Sequence, residues 1–130
     1  MTALDTNLLA RLLLQDGTAQ HARVKALLAT NQVFTAPMTV LLQLVWVLEA
    51  NDCSATDIAS GLTLLLGLPN FKPEQAGAVR TAIHGYTQGM DFADALHLAL
   101  SGDSDAFMTF NKTFVRKAVK LGARPRVVNA

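Results

Sequence analysis

The sequence predicts an α/β fold in which helices flank a short, mostly parallel sheet. Two observations favour this class. Short β-prone runs alternate with longer helical patterns along the chain. Hydrophobic residues make up 51% and charged residues 16% of the 130 residues, which suits a chain with a buried core rather than a disordered one. No repeat, low-complexity tract or linker interrupts the pattern, so we expect a single domain over residues 1–130.

The first half of the chain contains two strand signals and four helix signals. In order, these are a weak strand at 1–4, helices at 6–14 and 19–29, a strand within 32–37, and helices at 38–50 and 54–68. Pro37 ends the second strand because proline cannot donate to a β ladder. The long apolar helix stops near Asn51. Ser54 is placed to cap the next helix, with Asp57 three residues further on.

The second half continues the alternation. It predicts a helix at 73–89, a helix from 91 to Gly102, a strand at 105–110, a helix at 111–122 and a strand at 125–129. Pro73 fits the first turn of the first of these helices. Gly122 fits the end of the last one, since glycine readily adopts the left-handed conformation of a helix end.

Charge is distributed unevenly although the net charge is only +1. Residues 1–105 carry five basic and ten acidic side chains, whereas residues 106–130 carry six basic side chains and no acid. This basic segment fits a phosphate-binding edge. It fits equally well a solvated helix whose cations complement the negative end of its dipole.

Several classes of protein are excluded by what the sequence lacks. The single cysteine, Cys53, excludes an internal disulfide and a thiolate metal cluster. No apolar run reaches the roughly 18 residues of a membrane span, and no signal sequence is present. We therefore expect a cytoplasmic protein without a membrane partner.

Carboxylates stand at the ends of apolar elements. Asp5 follows the first strand, and Asp91 and Asp94 open the helix of the segment DFADALHLAL. A helix cap would explain Asp5 alone. Three carboxylates brought together repel one another unless a cation with oxygen ligands, Mg²⁺ or Mn²⁺, lies among them. We predict such an ion, which activates water and offsets phosphate charge.

Ligands of parallel sheets bind beyond the carboxyl ends of the strands. This rule selects the residues that follow two of the predicted strands, namely Asp5, Thr6, Asn7, Thr109, Phe110 and Asn111. An aspartyl-phosphate phosphatase with Asp5 as nucleophile is disfavoured, because a second aspartate is expected where the chain has Asn7.

Other polar and aromatic residues are assigned structural roles. His97 lies at ligand spacing from no second His or Cys, so we expect it to pack through a hydrogen bond or to support a metal ligand. Leu42, Val45 and Trp46 on the long apolar helix are expected in the core. No glycine-rich phosphate loop or nucleophile elbow is present.

Four segments together resemble a PIN-domain protein of the VapC toxin type. They are LDTN, VLLQLVWVLE, DFADALHLAL and TFNKTF, in this order along essentially the whole chain. The resemblance implies a PIN-like three-layer α/β/α sandwich that cleaves RNA with the help of Mg²⁺ or Mn²⁺. It also implies a VapB-like antitoxin as partner and a homodimer. The surplus leucines of the helices at 6–14 and 54–68 fit such partner surfaces.

The resemblance also implies a site. Its catalytic positions are Asp5, Gln43, Asp94 and Asn111, and its metal ligands are Asp5, Asp91 and Asp94. The hydroxyls of Thr6 and Thr109 would orient carboxylates or water. Lys112, Arg116 and Lys120, spaced four residues apart on one helix face, would hold the RNA backbone.

Two site positions depart from the family pattern. Gln43 stands where the family has glutamate, and Asn111 where many members have aspartate. An amide keeps the carbonyl oxygen but loses the charge, so metal affinity falls. Glu49 lies too far round the helix to replace Gln43. A glutamine here fits a naturally weakened nuclease and equally an engineered silencing change.

Gln43 therefore leaves two functions open. One is an endoribonuclease toxin weakened by the glutamine. The other is a catalytically inactive PIN scaffold that acts by binding an antitoxin or nucleic acid.

Overall fold

The computed structural model describes residues 1–15 and 17–130. Helices dominate this part of the chain, and its strands are two to four residues long. The chain divides into an amino-terminal unit, Met1–Ala76, and a carboxy-terminal unit, Gly77–Ala130. Within the described residues, no helix has both the length and the apolar character that crossing a membrane requires.

The amino-terminal unit combines a short parallel strand pair with four helices. Its elements are β1 (Thr2–Ala3), α1 (Thr6–Leu14), α2 (Thr18–Leu28), β2 (Phe34–Thr35), α3 (Met38–Ala50) and α4 (Ala55–Gly67). Thr2 pairs with Phe34, and an isolated parallel bridge joins Phe34 to Phe71. The core takes apolar side chains from all four helices, including Leu9, Val24, Leu41, Leu44, Leu48, Ile58, Leu62 and Leu65.

The carboxy-terminal unit contains the second strand pair. Its elements are α5 (Ala76–Thr87, whose first residue closes the other unit), α6 (Phe92–Leu100), β3 (Ala106–Thr109), α7 (Lys112–Leu121) and β4 (Arg126–Asn129). β3 and β4 are parallel along their whole length. The rings of Phe107 and Phe114 lie 5.5 Å apart between centroids and join β3 to α7. Tyr86 and Phe92 make an edge-to-face contact at 5.6 Å that joins α5 to α6.

The predicted α/β class with short parallel strands is confirmed, and several element boundaries agree with the prediction. α1 and α3 have the predicted bounds. The Ser54 hydroxyl accepts a hydrogen bond of 3.1 Å from the backbone N–H of Asp57, which confirms the predicted cap of α4. Gly122 ends α7 with φ at 64°.

Two expectations were wrong. α5 begins at Ala76 rather than at Pro73, because Gln75 has φ at 51° and a left-handed residue cannot continue a right-handed helix. Trp46 is 53% exposed, although Val45 beside it is fully buried. The cause is helical periodicity: the buried row of α3 runs along one face, which turns Trp46 towards solvent. Leu42 is half-buried.

Candidate functional site

Thr6 organises the polar groups that follow β1. Its backbone N–H donates to Asp5 Oδ1 at 2.7 Å, and its hydroxyl donates to Gln43 Oε1 at 2.8 Å. Asp5 is also the N-cap of α1. Thr6 itself is only 3% exposed, whereas Asp5 and Gln43 are exposed. The buried threonine thus holds two side chains of exposed residues in place, one from α3 and one from the start of α1.

Asp91 and Asp94 form the acidic part of the carboxy-terminal unit. Asp91 caps α6, because its Oδ1 accepts a hydrogen bond of 3.1 Å from the backbone N–H of Asp94. Burial and the nearby charge of Asp91 raise the pKa of Asp94, and the charges of His97 and Lys117 partly oppose this rise. A further positive charge at this place would therefore favour the ionised form of Asp94.

Asn111 is held at the amino end of α7. Its Oδ1 accepts a hydrogen bond of 3.1 Å from the backbone N–H of Phe114, so it caps the helix. The backbone N–H of Asn111 donates to the Thr109 hydroxyl at 3.0 Å. Thr109 thus fixes the turn between β3 and α7. The Asn111 side chain stands at this turn, with its Oδ1 used for the helix cap.

The cations of α7 have two different environments. Lys112, Arg116 and Lys120, which we predicted to contact RNA, are all exposed. Lys117 is half-buried, and its Nζ donates to the backbone carbonyl of Gly89 at 2.7 Å. Its charge also lowers the pKa of Asp94. Lys117 was not among the residues predicted from the sequence to have a role in the site, although its spacing of five residues from Lys112 places it off the exposed row.

His97 does not pack in the core. Its side chain is exposed, so the expectation of a packed, hydrogen-bonded histidine was wrong. It follows Asp94 by three positions, which places both on one flank of α6 and explains why its charge lowers the pKa of Asp94. Its support of a metal ligand stays a prediction.

The predicted site residues form two sets, one in each unit, and the hydrogen bonds among them lie within a set. Asp5, Thr6 and Gln43 form one set; Asp91 with Asp94, and Thr109 with Asn111, belong to the other unit. Within residues 1–15 and 17–130, no three or more His, Cys, Asp or Glu side chains form a group that could hold a metal ion. The convergence of the two sets, and the ligand roles of the three aspartates, stay predictions.

An apolar groove lies in the amino-terminal unit. Its volume is about 680 Å³, and leucines of α1 and α4 contribute much of its wall. Leu64 is 70% exposed, and Leu12 and Leu13 are half-buried. Polar groups stand among the lining residues, including His21 on α2 and Asp57 on α4. The surplus leucines predicted on these two helices therefore line a concave surface.

Comparison with known proteins gives one family. A model of the PIN domain matches residues 2–120, which include residues of both units. No curated protein matches the chain.

Proposed function

Because the chain belongs to the PIN domain family, we propose that it is a metal-dependent endoribonuclease toxin of the VapC type. PIN domains are generally metal-dependent nucleases, so nuclease-type chemistry and nucleic-acid binding come with the family. The observation that carries the finer proposal is the contact of Thr6 with Gln43. It supports placing Gln43 beside Asp5, where the VapC resemblance expects a glutamate.

We propose that Asp5, Asp91 and Asp94 bind Mg²⁺ or Mn²⁺. The chemistry of these donors fits such an ion, because hard divalent cations prefer carboxylate oxygens. The raised pKa of Asp94 supports the same choice, since a cation relieves the repulsion from Asp91. When bound, the ion supplies a Lewis acid for water and phosphate.

The remaining residues act on the substrate and on the ligands. Thr6 holds Gln43 through its hydroxyl and Asp5 through its backbone N–H. Lys112, Arg116 and Lys120 bind phosphates along the exposed face of α7. Gln43 and Asn111 contribute neutral oxygens where charged ones are usual, which weakens metal binding and hence activity.

We propose that the chain works as a single PIN domain over residues 1–130 in the cytoplasm. The single family match supports the single domain, because it runs from residue 2 in the amino-terminal unit to residue 120 in the other.

The partner that we propose is a VapB-like antitoxin, with an apolar helix seated in the groove of the amino-terminal unit. The exposed Leu64 in that groove supports this choice. Leu64→Glu should prevent co-purification with a small DNA-binding protein encoded beside the gene. Leu100→Glu is the matched control, because Leu100 is 40% exposed and belongs to the other unit. Loss of the complex in both variants or in neither would contradict this assignment of the groove.

We also propose a homodimer. Large apolar side chains remain in contact with solvent, among them Trp46 at 53% and Val119 at 68% exposure. Light scattering on the purified chain without antitoxin should give twice the mass of one chain. A monomer at high concentration would contradict the homodimer.

The second candidate function is a catalytically inactive scaffold that binds an antitoxin or nucleic acid. The neutral side chain of Gln43 favours it. Calorimetric titration with Mn²⁺, combined with cleavage assays on a structured RNA pool, separates the two functions. The ribonuclease should bind the ion and cleave RNA, and Asp5→Asn should reduce both by at least about 10-fold. Absence of both metal binding and cleavage in the unaltered chain would favour the scaffold.

A further inference from the structure

A large aromatic side chain is exposed directly after β3. Phe110 is 87% exposed, whereas Phe107 on the same strand packs against Phe114. Successive strand residues point to opposite faces, so within β3 Met108 faces away from the side of Phe107 and Thr109, and Phe110 follows the strand at a bend. Met108 is 67% exposed as well. The end of β3 thus carries two exposed apolar side chains two residues apart, Met108 and Phe110, which together are called the patch below.

The chain from β3 onward carries charge of one sign. Residues 106–130 contain six cationic side chains and no acidic one. Lys112 follows Phe110 by two residues and begins the exposed row that continues with Arg116 and Lys120. A polyanion complements such a surface, whereas a protein partner would need an unusually acidic face. The charge thus favours nucleic acid as the occupant of the patch.

We infer that Phe110 stacks on an unpaired base of RNA whose phosphates contact the cationic row of α7. This inference rests on the proposed ribonuclease function and adds to it a residue that positions unpaired RNA. Bases within a duplex are stacked on one another and cannot reach an exposed ring, whereas unpaired bases commonly stack on aromatic side chains. Asn111, a proposed catalytic position, follows Phe110 directly, so a base held on the ring lies next to the site.

Phe110 would therefore position the RNA strand without selecting one base sequence. Every base has an aromatic face, so stacking tolerates all of them, and the phosphate contacts carry no sequence information either. This surface would therefore distinguish unpaired RNA from duplex RNA, and not one base sequence from another.

The test is binding of a labelled unstructured RNA by fluorescence anisotropy in EDTA, so that no metal-dependent cleavage intervenes. The same sequence in a duplex serves as the second ligand. Phe110→Ala should weaken binding of the single strand by roughly 5- to 150-fold and leave the duplex nearly unaffected. Phe110→Trp should retain the affinity, because indole stacks at least as well as phenyl. Val33→Ala, at a residue of the amino-terminal unit that is 38% exposed, is the control and should bind like the unaltered chain.

The outcomes separate the stacking role from the ribonuclease itself. If Phe110→Ala binds the single strand as tightly as the unaltered chain while Lys112→Ala weakens it, the stacking role is wrong and the ribonuclease stands. If the unaltered chain binds neither RNA, both are wrong. If Phe110→Ala changes only the molar mass seen by light scattering, the patch is a protein interface and the inference fails. Thermal unfolding of each variant should match the unaltered chain, because the Phe110 side chain is mostly in water.

Discussion

Among the described residues, Thr6 is the one polar residue that is buried. Its hydroxyl donates to Gln43, and a hydroxyl donates equally well to a carboxylate. The position of residue 43 is therefore compatible with the glutamate that the resemblance expects. Glutamine and glutamate at this position differ by one charge near Asp5. The effect of that charge can be measured as a change in the stability of the fold.

Gln43→Glu should change the melting temperature in opposite directions without and with metal. Without metal it should lower the melting temperature, because a new carboxylate near Asp5 adds repulsion. With Mn²⁺ it should raise the melting temperature, since an ion that binds only the folded form adds about 2.7 kcal/mol at 100 times its dissociation constant. Gln32→Glu, at an exposed residue outside the proposed site, should show no metal effect. Identical melting of Gln43→Glu with and without Mn²⁺ would remove Gln43 from the site.

Asp94 predicts a specific pH dependence. Its pKa is raised by burial and by Asp91, so the folded protein binds more protons at this residue than the unfolded chain does. The contribution of Asp94 therefore destabilises the fold progressively as the pH rises from the usual carboxyl range through the raised pKa. In metal-free buffer, Asp94→Asn should be more stable than the unaltered chain at pH 7, and this advantage should vanish well below pH 3.8. Denaturant unfolding at both pH values measures it. Asp103→Asn, at an exposed aspartate, is the control, and an equal pH response in both variants would refute the assignment.

At the scale of elements, helix starts and proposed site residues coincide. Asp5, Asp91 and Asn111 each cap a helix through a side-chain oxygen, as Ser54 does outside the site. The cap that would explain Asp5 without any metal is therefore present. A capping role and a ligand role are compatible, because a carboxylate has more acceptor sites than one cap uses.

The two roles of Asn111 can be separated by substitution. Asn111→Ala should destabilise the protein by about 0.5–2 kcal/mol, because the backbone N–H of Phe114 loses its acceptor. Asn111→Asp should keep the cap and cost little, since aspartate caps helices as well as asparagine does. Denaturant unfolding measures both, with Ser54→Ala as a reference cap of similar size. Equal destabilisation by alanine and aspartate would show that repulsion at the site, not the cap, decides stability there.

Element prediction succeeded where the signal is local. Ser54 with Asp57 and the glycine at 122 are capping patterns within a few residues, and both were found in the structure. The start of α5 was missed because Gln75 has a left-handed backbone conformation. Glutamine rarely adopts this conformation, so the residue type does not indicate it. The exposure of Trp46 was missed because the apolar residues of α3 surround the helix, so periodicity alone does not select the buried face.

For the whole molecule, the sequence suggested candidate site residues, and their roles stay predictions. Asp5, Gln43, Asp94 and Asn111 were selected by motif and strand position, and the family match is consistent with that origin. The Thr6–Gln43 contact joins residues 37 positions apart and depends on how α1 packs against α3. Such a contact arises from tertiary packing, which a single sequence does not reveal.

The uneven charge of the chain predicts salt-dependent RNA binding. Lys120→Ala should weaken binding of single-stranded RNA and reduce the slope of log affinity against log salt by about 0.7, because one phosphate contact is lost. Lys72→Ala, at an exposed lysine of the amino-terminal unit, should leave the slope unchanged. Affinity measured over a range of salt concentrations gives both slopes. A slope that does not change in Lys120→Ala would place the RNA elsewhere.

Metal-dependent cleavage is best tested on a structured RNA pool in Mn²⁺ with three proteins: the unaltered chain, Gln43→Glu, and Gln43→Glu combined with Asp94→Asn. We expect Gln43→Glu to cleave about 10- to 100-fold faster than the unaltered chain, because the restored carboxylate strengthens metal binding. EDTA or the added Asp94→Asn substitution should abolish the gain. Cleavage that is unchanged by Gln43→Glu, or that persists in EDTA, would contradict a metal-dependent site built on these residues.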